Sequence, residues 1–259
     1  MNTISSKDNS LIKELKKLKD KKIRSARKEF LIEGFRFVEE ALKSNFTVKT
    51  LIIDSSLQDQ LDFYNIRKYI NNINTIFVTK EIINLLSSTK TPQGILALVE
   101  DKVIKLSNKD GFYILCDKVQ DPGNLGTIIR TAHASGSLGV ILTKGTVDVY
   151  NDKTLRSTMG SLFHVPIFYD DNFELIKSLK EKGFKLYSSS LDTNSSLYDL
   201  NLVQNCIIAV GNEGNGISNS IIDLSDTLFK IPMHGNAESL NVAVATSVIA
   251  FEIVRQKLI

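Results

Sequence analysis

Short apolar runs of strand length alternate with amphipathic segments of helix length along most of this 259-residue chain, and that alternation is what most restricts its fold. Strand-like EFLIEG (29–34), VKTLIID (48–54), INTIFVTK (73–80) and GILALVE (94–100) are interleaved with helical FRFVEEALKSN (35–45) and KEIINLLSST (80–89). A second series holds strand-like GFYILCDKV (111–119), GVILTKG (139–145), CIIAV (206–210) and TLFKIPM (227–233). Its helical partners include GTIIRTAHASG (126–136), DKTLRSTMGSLF (152–163) and the long SLNVAVATSVIAFEIVRQKL (239–258). Alternation of this kind predicts an α/β fold with a mostly parallel sheet covered on both faces. Between the two series, DKVIKLSNKD (101–110) is polar and lacks periodicity, so it reads as a linker in a chain long enough for two domains.

Several classes are excluded early. The apolar runs are strand-sized and the first ten residues, MNTISSKDNS, lack an apolar core, so neither a membrane span nor a signal peptide is expected. Cys116 and Cys206 both lie inside apolar segments, which excludes a disulfide scaffold and suits a reducing cytosol. His133, His164 and His234 have no metal-ligand spacing, so no metal is expected.

The net charge of +3 is unevenly spread. Nine Lys/Arg lie between Lys13 and Lys28 against Glu14 and Asp20, a local balance of +7 that leaves −4 for the rest. Leu11, Ile12, Leu15 and Leu18 recur at helical spacing there, with lysines on the other face. Such a helix either packs its stripe on its own domain with a solvated basic face, or uses that face to contact phosphates. Charge alone does not decide between them.

Three loops follow strands of the second series, at the edge where open α/β sheets place ligands. QDPGNLG (120–126) has turn chemistry, with Pro122 presetting φ and Gly123 or Asn124 able to take φ > 0. It leads to Arg130 in an otherwise apolar helix, where an arginine is costly unless it snorkels or finds an anion. AVGNEGNGIS (209–218) is glycine-rich and carries Glu213. Its order, G-x-x-G-x-G, is the reverse of the dinucleotide fingerprint, and the Walker Lys-Ser/Thr ending is missing. IPMHGNAESLNVAVATS brings Ser239 as a plausible N-cap and Asn241 in the first turn of the last helix. Each loop has a plain reading, as a tight connection, a turn residue or a cap. Together they gather polar groups fit to orient a hydroxyl and a phosphate, without a thiol nucleophile or a Ser-His-Asp elbow.

DPGNLGTIIRTA, VGNEGNGIS and IPMHGNAESLNVAVATSVIAFE resemble, in order and wording, the three motifs of the SpoU/TrmH family of RNA ribose 2′-O-methyltransferases. The resemblance spans residues 111–259, and residues 1–100 more weakly resemble the family's ribosomal-protein-like substrate-binding domain. It implies a trefoil-knotted C-terminal α/β domain (SPOUT), a homodimer through that domain, and methyl transfer from S-adenosylmethionine to a ribose 2′-hydroxyl. Carried over by motif, Gly211, Ile231, Met233 and Leu240 would line the cofactor site. Arg130 would be catalytic, Asn124 would orient Arg130 or the ribose, Glu213 would position the loop or the RNA, and Ser239 with Asn241 would hold the target nucleotide or the loop.

An arginine is effectively always protonated, which favours a phosphate grip over service as a base. The basic helix, with Lys16, Lys17, Lys21, Lys22 and Arg24, would then hold structured RNA by its phosphates, and recognition by shape suits a domain without a dense aromatic cluster. Ribosomal RNA of the large subunit is the expected substrate. Transfer RNA, a catalytically silent RNA-binding assembly factor and a dinucleotide oxidoreductase stand as alternatives.

Overall fold

The computed structural model describes residues 3–57, 60–102, 104–107 and 109–258, which form two compact units, 1–103 and 104–259. In the first unit the basic segment is two helices rather than one, α1 (Ser10–Lys17) and α2 (Lys21–Arg27). Asp20 makes the break by accepting from the Lys22 backbone N–H at 2.7 Å as the N-cap of α2. The Arg24 guanidinium then donates to the carbonyls of Leu18 and Lys19 at 2.8 and 2.9 Å, closing the end of α1. Ile12, Leu15 and Leu18 are buried against Ile82, Ile83 and Leu86, so the stripe packs on its own unit.

The rest of the unit is β1 (Glu29–Glu33), α3 (Phe35–Lys43), β2 (Val48–Asp54), α4 (Gln60–Phe63), α5 (Arg67–Ile70), β3 (Asn74–Val78), α6 (Lys80–Leu86) and β4 (Ile95–Glu100). The strand order is β1-β4-β2-β3, and only β2 and β3 run parallel. Here the parallel expectation is corrected. The run ILALV of β4 is buried throughout and takes a central place, antiparallel to both neighbours.

The second unit contains β5 (Phe112–Cys116), α7 (Pro122–Ala134), β6 (Gly139–Leu142), α8 (Asp152–Thr158), β7 (Ile167–Tyr169) and α9 (Glu174–Glu181). It continues with β8 (Lys185–Ser189), β9 (Cys206–Val210), α10 (Asn219–Ile222), β10 (Thr227–Phe229) and α11 (Val242–Lys257). Its six strands are all parallel, in the order β10-β8-β9-β5-β6-β7. The two central strands, β5 and β9, are buried at every position, as their unbroken apolar runs require. The chain moves outward from β5 through β6 to β7, then crosses to β8 and fills the gap with β9. The adjacent carboxyl ends of β5 and β9 are therefore a topological switch point, where open sheets bind ligands.

Three element ends differ from expectation. Helix α7 begins at Pro122, with Asp121 as N-cap accepting from the Asn124 N–H at 2.9 Å, so Gly123 and Asn124 are helical and neither has positive φ. Proline at the first helical position is preorganised for this. Helix α8 stops at Met159, whose φ of 51° is left-handed, and a short 3₁₀ turn covers Ser161–Phe163. Helix α11 is capped by Asn241, not Ser239: the Asn241 Oδ1 accepts from Ala243 and Val244.

Candidate active site

Cys116 at the end of β5 lies beside Val210 at the end of β9, so the loops that leave them start side by side. Asp117 fastens them. Its buried carboxylate accepts from the Thr143 hydroxyl beyond β6 at 2.9 Å and from the Ser218 N–H at 2.7 Å. The Asn212 amide adds a 2.9 Å bond to the Lys118 carbonyl.

The glycine-rich loop closes on itself. Asn212 and Gly216 exchange two 2.9 Å backbone bonds, and a Cβ on Gly211 would lie 2.2 Å from the Gly216 carbonyl carbon and 2.4 Å from the Ile217 nitrogen. Gly211 is thus required by the loop's own fold before any ligand arrives. This closure presents the Glu213 carboxylate to the first motif. It accepts from the backbone N–H groups of Gln120 and Asp121, both at 3.2 Å, and from the Asn124 side-chain amide at 2.8 Å. The Asn124 Oδ1 in turn accepts from the Asn241 Nδ2 at 2.9 Å. One hydrogen-bonded line, Glu213–Asn124–Asn241, joins the three motif loops and ends at the N-cap of α11.

Burial raises the Glu213 pKa, but the Asn124 amide and the Gln120 and Asp121 N–H groups outweigh it and leave the carboxyl below its ordinary value. Asp121 is also lowered, first by the hydrogen bond from the Lys153 ammonium at 2.9 Å. Burial pushes the Cys116 thiol far up and the Cys206 thiol up to about 12, so neither is a thiolate nucleophile.

Arg130 lies two turns along α7 and is exposed, so of the two alternatives, reaching solvent or finding an anion, the first alone already removes the burial cost. Among the described residues its guanidinium has no hydrogen bond or ion pair, which leaves its fork available. Ser239 is exposed, two positions before the Asn241 cap. Ile231, Met233 and Leu240 are half-buried on the irregular segment between β10 and α11. Apolar groups that are neither packed away nor fully wet fit the sandwiching of an aromatic ring, as an adenosyl cofactor requires. Among the described residues no group of three or more His, Cys, Asp or Glu could hold a metal ion.

Reasoning from sequence passed over Asp117, Asp121 and Lys153. The signal for Asp117 was a lone carboxylate ending the apolar run FYILC. For Asp121 it was Asp-Pro at a helix start.

Residues 111–251 match the model of the SpoU rRNA Methylase family, and residues 9–97 match the MRM3-like substrate binding domain. The chain belongs to the SpoU rRNA Methylase family. It is 36% identical over 253 residues to the 23S rRNA (guanosine(2553)-2'-O)-methyltransferase RlmP of Bacillus subtilis, covering 98% of this chain and 99% of that protein. Among solved structures, the SpoU methyltransferase AviRb from Streptomyces viridochromogenes, in complex with the cofactor AdoMet, superposes with a TM-score of 0.87 at 28% identity, over 96% of this chain and 98% of AviRb. The AdoMet-bound rRNA methyltransferase from Sinorhizobium meliloti gives a TM-score of 0.86 at 29% identity, over 98% and 97%. As a SpoU methylase, the chain uses S-adenosylmethionine as its methyl donor.

Proposed function

We propose that this chain methylates a ribose 2′-hydroxyl in ribosomal RNA of the large subunit. The observation that carries the reading is the hydrogen-bonded line Glu213–Asn124–Asn241, which locks three motif loops together at the switch point and leaves Arg130 unengaged on α7. S-adenosylmethionine supplies the activated methyl carbon when bound. Gly211, Ile231, Met233 and Leu240 hold it, and the protein contributes alignment.

Arg130 grips the phosphate beside the target ribose with its charged fork. Both ends of the Asn124 amide are engaged, so Asn124 positions the loops rather than Arg130. Ser239, exposed ahead of α11, faces the target nucleotide. RlmP acts on a guanosine, and a Streptomyces viridochromogenes relative that is 29% identical acts on uridine(2479) of 23S rRNA.

Lys16, Lys17, Lys21 and Lys22 are exposed on α1 and α2 and contact RNA phosphates. Arg24 is committed to closing α1 and does not. Homodimerisation uses the outer face of α11, where Val244, Phe251 and Leu258 recur every seven residues at 50%, 50% and 82% exposure. The two buried thiols suit a reducing cytosol.

The test is transfer of labelled methyl from S-adenosylmethionine to separated large-subunit rRNA, small-subunit rRNA and tRNA from a strain lacking the protein. Alkali-stable label in the large-subunit fraction alone is the expected result. Label only in tRNA would reassign the substrate, and cofactor binding without transfer to any RNA or ribosomal precursor would make the chain a binding factor.

A further inference from the structure

At one end of the first unit, hydrogen bonds converge on the segment between α6 and β4, SSTKTPQG (87–94). Glu33 ends β1 beside the start of β4, and its half-buried carboxylate accepts from the hydroxyls of Ser87 and Thr89, both at 2.7 Å. The Gln93 Oε1 accepts from the Phe35 N–H, at the start of α3, at 3.1 Å. From the other side the Lys19 ammonium, just past the end of α1, donates to the carbonyls of Leu85 and Ser87 at 3.1 and 2.9 Å. Residues 19–24, 33–36 and 87–93, far apart in sequence, are thereby held together at one end of the sheet.

Cations outnumber acids there. These three segments hold six Lys/Arg against Asp20 and Glu33. Both acids are engaged, Asp20 as the N-cap of α2 and Glu33 by the two hydroxyls. Lys19 and Arg24 are committed to backbone carbonyls. The other four, Lys21, Lys22, Arg36 and Lys90, are exposed, and among the described residues none of their side chains has a hydrogen bond or ion pair. At the far end of β1, by contrast, Arg27 and Lys49 both pair with Glu29, and Lys43 at the end of α3 pairs with Glu39.

Four free cationic heads on three segments bonded to one another offer a surface, and the anion that fits a surface is a chain of phosphates. We infer that Arg36 and Lys90 extend the phosphate-contacting face of α1 and α2, so that the RNA backbone crosses the α1–α2 junction, the start of α3 and the α6–β4 segment. This rests on the reading of the chain as an RNA methyltransferase and adds to it two contacts outside the basic segment. Such contacts carry no base information; they fix the register and orientation of structured RNA. Glu33 and Lys19 are positioning residues, because they hold the segment that carries Lys90.

The experiment uses the full chain and fragments of large-subunit rRNA from a strain lacking the protein, with binding measured over a salt series. Arg36→Gln with Lys90→Gln removes two exposed charges and no contact within the protein, so its melting curve should match the parent's. Binding at low salt is expected to weaken, with the slope of log affinity against log salt shallower by about 1.4–1.8, the figure for two lost phosphate contacts. Parent and variant then converge as salt rises. The reduction in slope should add to that of Lys21→Gln with Lys22→Gln, since different phosphates are met. Affinity and slope equal to the parent's would overturn the extension alone. So would weaker binding at the parent's slope, which would make the two residues structural. Failure of the parent chain itself to bind any RNA would overturn both this inference and the reading on which it rests.

Discussion

Asn124 and Glu213, 89 positions apart in the chain, are joined by a 2.8 Å hydrogen bond from the amide to the carboxylate. The bond exists because β5 and β9 are neighbours in the sheet, which brings the helix start after one beside the glycine-rich loop after the other. Asn124→Asp replaces a donor with a second carboxylate at hydrogen-bonding distance, so the line to Asn241 is broken at its Glu213 end. A hydrogen bond to a charged group is worth about 1.5–3 kcal/mol, less where solvent reaches it. The expected result is an S-adenosylmethionine Kd about tenfold higher by calorimetry at neutral pH. Affinity partly recovers as acid lets the two carboxyls share a proton.

The lowered pKa of Glu213 sets an acid limit. A group whose folded pKa is depressed contributes stability that is complete above its unfolded value and is lost as pH falls through the folded one. Thermal stability of the parent should therefore decline as pH drops below the ordinary glutamate value of 4.5. Comparison of melting curves checks this: in Glu213→Gln that part of the decline is absent, and the variant is less stable than the parent at neutral pH.

Gly211→Ala tests whether the loop needs its glycine for its own closure. The added Cβ meets backbone atoms of Gly216 and Ile217, which cannot swing aside as a side chain tip can. Overpacking of this kind costs about 1–3 kcal/mol. A lower melting temperature without any cofactor present is the expected result. An unchanged melting temperature with weakened cofactor binding would place the constraint on the ligand instead.

The basic helices separate into two kinds of cation. Neutralising Lys16, Lys17, Lys21 and Lys22 together should flatten the salt dependence of RNA binding by roughly 0.7–0.9 in log–log slope for each phosphate that no longer meets a lysine. Arg24→Ala should leave that slope unchanged and lower the melting temperature, because it uncaps the carbonyls of Leu18 and Lys19. Filter binding across a salt series, paired with melting curves, distinguishes the two.

The strands and longer helices were legible because their apolar periodicity is strong, as in CIIAV and in the α11 segment. Element ends were less so. Pro122 read as a turn and proved to be the first residue of α7, since the same Asp-Pro-Gly-Asn chemistry serves both. Met159 stops α8 in a left-handed conformation that nothing in its residue type announces. Helices α4 and α5 have four residues each, too short to show a period. The three site loops were legible as loops. Their joining through Asn124 was not, because it depends on the strand order that places β9 against β5. Arg130 is recognised by motif, while the physical argument, that it must snorkel or find an anion, is met by an exposed side chain and so does not by itself single the residue out.

The central claim is that the exposed, unengaged Arg130, on the helix that starts at these locked loops, serves methyl transfer to a ribose of large-subunit rRNA. The most direct measurement is mass-spectrometric mapping of 2′-O-methylated nucleotides in that RNA from cells lacking the protein, restored with the parent chain or with Arg130→Ala. Loss of one modified nucleotide, restored by the parent and reduced with Arg130→Ala, is the predicted result. The variant protein should fold and bind S-adenosylmethionine like the parent, since an exposed side chain without partners contributes within about 0.5 kcal/mol to stability. In purified form, its turnover should fall by about 10²-fold, the scale on which misplacement of the reacting groups slows catalysis. An identical set of methylated nucleotides in all three strains would contradict the account.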